Sequence, residues 1–178
     1  MIEQYNEIEW LTGFLNGAGD LKAEGLDRVK NFLLLWNLFE DAGMQQDANI
    51  PKLKVLADYI HAINPLKADE FKPYVDYFSN RYFNPDGKNT YTLDGLKFRP
   101  NASDQAAKAE VEAVLTGKEQ SPDMILKALL MILYRFRNNL FHGEKQLVNI
   151  DGQVDNFIVA NSILKVTLSK MKDLGMFN

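Results

Sequence analysis

The chain has 178 residues, 46% of them hydrophobic and 25% charged, with a formal net charge of -4 and no cysteine. That is the balance of an ordinary folded chain with room for one core, and it excludes disordered and fibrous classes, disulfides, thiolate zinc sites and cysteine nucleophiles. The acidic excess argues against a broad electrostatic grip on nucleic acid. Helical periodicity dominates along the chain. Residues 2–16 carry Ile8, Leu11 and Leu15 before the break GAGD. Residues 20–42 set Leu26, Val29, Phe32, Leu33, Trp36 and Phe39 at three- and four-residue spacing and run into Gly43, read as a C-terminal stop. Residues 51–63 open with Pro51, which a first helical turn tolerates, and place Leu53, Leu56, Ile60 and Ile63 on one side. Residues 68–83 are rich in Phe and Tyr. All of these read as amphipathic core helices.

The stretch NPDGKNTYTLDGLKFRPN differs, with two Asp-Gly pairs, the second flanked by Tyr91 to Leu93 and Leu96 to Phe98. It predicts a loop or a short two-stranded flap near residues 85–100. Residues 102–116 are Ala-rich and helical, and Ser121 with Pro122 is read as the cap and first turn of a helix to about Phe141. Its apolar positions cover more than half the circumference, so it is expected at the centre of the fold. A last helix, from about Gly152 to Leu174, uses Phe157, Ala160, Leu164, Leu168 and Met171. The expected fold class is therefore all-α, in a single domain spanning 1–178.

Charge is uneven. Residues 121–178 hold seven Lys/Arg against five acids, a net of +2, so the first 120 carry -6. The C-terminal part is the less hostile half for a polyanion. The apolar runs FLLLW and LLMILY fall far short of the roughly 20 residues that cross a bilayer. The start MIEQYNEIEW lacks the basic and apolar stretches of a secretory signal. A cytoplasmic protein without membrane contact is expected.

The segment RFRNNLFHG, Arg135 to Gly143, closes the apolar run MILKALLMILY. On an ideal helix Arg137 continues the row Leu126, Leu130, Leu133, whereas Arg135 continues Ala128 and Met131. Arg137 is thus expected to meet packed surface and to need an anionic partner, since a guanidinium stays charged. Asn138 and His142 are four apart and share a face with Tyr134. Arg137 and His142 lie about 140° apart on an ideal helix and converge through the length of Arg and the fraying of the end. Two readings stand side by side: a polar helix C-terminus, whose cations suit the negative end of the dipole, or a site.

The run R-N-N-L-F-H-G at the end of a long core helix, followed by one more long helix, resembles the Arg-x4-6-His signature of HEPN domains. The resemblance covers residues 122–172, and before that it is architectural only. It implies an all-α, HEPN-like helical bundle, acting as a homodimer that cleaves RNA without metal or other cofactor and leaves 2',3'-cyclic phosphate ends. The setting it implies is a toxin-antitoxin or phage-defence system, with an antitoxin protein as a candidate partner. Under it Arg137, Asn138 and His142 are the catalytic candidates. A histidine exchanges its proton near neutral pH, and a guanidinium fork matches the charge that builds on a phosphoryl group. Arg135 and Lys145 are candidates for flanking phosphates and read equally well as plain solvated charges. Glu40, which shares a helix face with Trp36, reads first as a solvated acid beside a core Trp, and as a supporting candidate it would pair with Arg137 across the core. The broad apolar face of 122–141 is the expected pairing surface. Members of the family that only bind RNA or protein give the alternative, a catalytically silent module.

Remaining signals are bland. His61 reads as a partly buried helix histidine. DGKNT lacks the first glycine and the preceding strand of a phosphate loop, NGAG reads as a turn, and two histidines without His-Glu-x-x-His give no zinc site.

Overall fold

The computed structural model describes residues 6–14, 22–83, 91–141 and 151–177. These form α1 (Glu7–Phe14), α2 (Ala23–Met44), α3 (Ile50–Ile63), α4 (Ala68–Tyr82), the single turn α5 (Tyr91–Asp94), α6 (Ala102–Leu115), α7 (Pro122–Phe141) and α8 (Val154–Asp173). The architecture is an all-helical bundle. Among the described residues no helix is long and apolar enough to cross a membrane.

Helix α7 is the axis of the bundle. Leu126, Ala128, Leu129, Leu130, Met131, Ile132 and Leu133 are all fully buried, because α3, α4 and α6 pack against it. A helix apolar over most of its circumference has no stable place except inside. The expected pairing surface is consequently corrected: the apolar face of 122–141 is consumed within the subunit. Buried side chains from α2 through α8 join in one cluster, with Phe32, Phe136 and Phe157 in ring contact at its centre.

Local rules set several boundaries. Asn49 caps α3 by accepting from the Lys52 N–H at 3.1 Å, with Pro51 in the first turn, and Asn101 caps α6 through the Asp104 N–H at 2.9 Å. Ser121 precedes α7, its carbonyl accepting from the Ile125 N–H at 3.0 Å, while its hydroxyl donates to Glu119 at 2.7 Å. His61 is a structural histidine: its Nδ1 accepts from the Leu66 N–H at 3.1 Å and ties off the turn after α3.

Three expectations change. Helix α2 does not stop at Gly43 but at Gln45, which takes the left-handed conformation at φ 51°. Gly43 serves packing instead, since a Cβ there would stand 2.9 Å from Met171 Cε and 3.0 Å from Leu56 Cδ2. Helix α1 is no core helix: none of its residues is buried, and Trp10 and Phe14 stack on each other at 4.8 Å while largely exposed. Finally, of the loop or flap expected near residues 85–100, the described residues 91–100 take a helical turn and a loop rather than paired strands. Tyr91–Asp94 is a helical turn, and the chain then folds under α7, burying Leu93 and Leu96. Apolar side chains at 93 and 96 are three apart, a helical spacing that one turn satisfies. Residues 84–90 of that expectation lie outside the described residues.

Candidate functional site

The last two turns of α7 divide their polar residues between two neighbours. On one side, Arg135 Nε donates to the Leu96 carbonyl at 2.8 Å and Nη2 donates to the Lys97 carbonyl. Its Nη1 lies 3.5 Å from Asp104 of α6, and the guanidinium stands 5.7 Å from the centre of the Phe98 ring. Asn139 Nδ2 donates to the Gly95 carbonyl at 3.0 Å. With 6% of its side chain exposed, Arg135 is a stitch between α7 and the 93–104 segment. The expectation of Arg135 as a phosphate contact is therefore corrected: each of these donors points inward.

On the other side, Arg137 faces α2. Its Nη2 lies 3.8 Å from Glu40 Oε2, and its Nη1 donates to Asn138 Oδ1 at 3.1 Å. The pairing expected between Glu40 and Arg137 is present. Its setting is asymmetric, with 14% of the Glu40 side chain exposed against 32% of Arg137. Glu40 is held from behind, accepting from Trp36 Nε1 at 3.0 Å and from the Ala48 N–H at 2.9 Å. Asn138 is buried.

The burial order of the two arginines reverses the one implied by the apolar row. Ala128 and Met131, on the Arg135 row, are as completely buried as Leu126 and Leu130. A helix covered all round no longer predicts which polar end residue goes inside; the neighbours do. Here the carbonyls of Leu96 and Lys97 decide it.

His142, Gly143 and Lys145 lie outside the described residues. The structure thus brings together Arg137, Asn138 and Glu40, and separates Arg135 from them. Sequence reasoning overlooked Asp104, Leu96 and Lys97 as partners of Arg135, and Ala48 as a partner of Glu40. Two of the Arg135 contacts and the one at Ala48 use backbone groups, which carry no residue signature. Among the described residues no group of three or more His, Asp or Glu is placed to hold a metal ion. Comparison with protein-family models, with curated proteins and with solved structures finds no match to this chain.

Proposed function

We propose that the protein is a metal-independent endoribonuclease of HEPN type. What supports this reading is the environment of Arg137, a guanidinium at the end of the central helix that is steadied by Glu40 and Asn138 yet one-third exposed. A purely structural arginine is better served by the enclosed arrangement of Arg135 two residues earlier. Arg137 instead holds part of its side chain at the surface, where a planar guanidinium can meet a phosphoryl group.

In this reading His142, five residues beyond Arg137, accepts the proton of a ribose 2'-hydroxyl. The 2'-oxygen attacks the adjacent phosphorus, and the bond to the 5'-oxygen breaks as that oxygen takes up a proton. Arg137 stabilises the charge on the phosphoryl oxygens in the transition state. Asn138 orients Arg137, and Lys145 is the remaining candidate for a flanking phosphate. Two copies supply two motifs to a shared cleft, so a homodimer is part of the proposal. The biological setting is toxin-antitoxin or phage defence, with an antitoxin as regulator.

Purified protein incubated with RNA in EDTA is expected to leave cyclic-phosphate and 5'-hydroxyl ends, and His142→Ala and Arg137→Ala are each expected to abolish them. Cleavage that persists in His142→Ala, or that needs a divalent ion, overturns the mechanism. RNA binding without cleavage by native protein and variants alike would assign a binding module instead.

A further inference from the structure

Glu40 is pinned more firmly than an ion-pair partner needs to be. Oε1 accepts from the Ala48 N–H at 2.9 Å, in the turn between α2 and α3 where Gln45 and Gln46 both take left-handed φ values of 51° and 60°. Oε2 accepts from the Trp36 indole at 3.0 Å. The indole is itself immobilised: Trp36 is 2% exposed, and its ring packs against Phe32, Phe39 and Tyr134 at centroid separations of 6.2, 5.2 and 6.3 Å. It cannot rotate without repacking that cluster. The oxygen that faces Arg137 is therefore shared with a fixed donor. The Glu40 to Arg137 separation, 3.8 Å, is long beside the roughly 2.8 Å of a hydrogen-bonded guanidinium-carboxylate pair.

We infer that Trp36 is a positioning residue for Arg137: its indole N–H holds the Glu40 carboxylate at a set distance, so that the guanidinium is aimed by Glu40 without being captured by it. This rests on the reading of Arg137 as the group that meets the scissile phosphate, and it extends that reading to the residue that sets its reach. Removing the indole donor while keeping an aromatic ring frees Oε2 to close on Arg137. The guanidinium is then drawn back from the phosphoryl oxygens, a displacement that acts on the transition state.

The test has two arms. In the first, indole 1H-15N cross-peaks are followed in the folded protein, with the half-exposed Trp10 as internal reference. Glu40→Gln and Arg137→Ala are each expected to shift the Trp36 cross-peak and leave that of Trp10 in place. In the second, Trp36→Phe is expected to unfold cooperatively like the native chain and to lower kcat about tenfold with KM unchanged, the pattern of a lost transition-state interaction. A Trp36 cross-peak indifferent to Arg137→Ala, or a Trp36→Phe protein cleaving RNA at the native rate, overturns the inference. Native protein that cleaves no RNA removes the nuclease reading alone, and the cross-peak then decides whether Trp36 aims Arg137.

Discussion

Arg135 and Arg137 stand two positions apart on α7, yet their side chains leave the helix on opposite sides, one running inward to Asp104 and the other outward past Glu40. Two residues on an ideal helix are about 200° apart, so the separation is geometric before it is chemical. Packing then assigns the roles. Arg135 has the 93–104 segment above it and becomes part of the framework, while Arg137 emerges where α2 meets α7.

Arg135→Ala is expected to lower unfolding free energy by about 3 kcal/mol or more, because it leaves the carbonyls of Leu96 and Lys97 and the Asp104 carboxylate short of a buried donor. Urea denaturation measures it. A loss below about 1 kcal/mol would mean that water replaces the guanidinium, and that the inward network contributes little.

Leu130→Ala tests the burial of α7 inside one subunit. The side chain is fully enclosed, and its truncation is expected to cost about 2–5 kcal/mol. Sedimentation velocity at micromolar concentration should give the same association state as the native protein. Dissociation without loss of stability would return this face to a subunit interface.

Lys97 is a non-glycine residue at φ 55°, and its contribution to Arg135 is a backbone carbonyl. Lys97→Gly keeps that carbonyl and relieves the left-handed strain, so a gain of up to about 1 kcal/mol is expected. Lys97→Val, β-branched in the same conformation, should lose about 1 kcal/mol or more. Paired thermal melts check the opposite signs.

The acid limb of the stability curve reports on Asp123. Burial opposes its ionisation, but the hydrogen bond and charge of Lys127, at 3.0 Å, outweigh it and hold the carboxyl below its usual range. A depressed folded pKa adds stability that is present above the unfolded value of 3.8 and is lost as pH falls through the folded value. Burial likewise opposes the Lys127 charge, and its bonds to Asp58 and Asp123 raise it overall, so that its contribution fades only as pH rises above 10.5. Asp123→Asn is therefore expected to destabilise at neutral pH and to converge on the native protein only as the pH falls below 3.8 and through the folded value. A difference between the two proteins that stays constant from pH 7 to pH 2 would exclude this linkage.

The sequence determined the helices and the centre of the fold, because apolar spacing and capping chemistry act within a few residues of chain. Asn49 before Pro51, Asn101 before Ala102 and the apolar run of α7 set their elements locally. The pairing of Glu40 with Arg137 was legible only in part: the guanidinium's need for an anion pointed to an acid on another helix, but a solvated Glu40 beside Trp36 fitted the sequence better, and the fold decided for the pair. What the tertiary structure alone decided is which polar residues of the α7 terminus go inside. That choice depends on backbone carbonyls at Leu96 and Lys97 and on the N–H of Ala48, groups every residue carries, so no pattern of side chains announces them. For the same reason Gly43 read as a helix stop but serves as a gap for Met171 and Leu56: a missing side chain looks identical whether it frees a backbone angle or makes room for a neighbour.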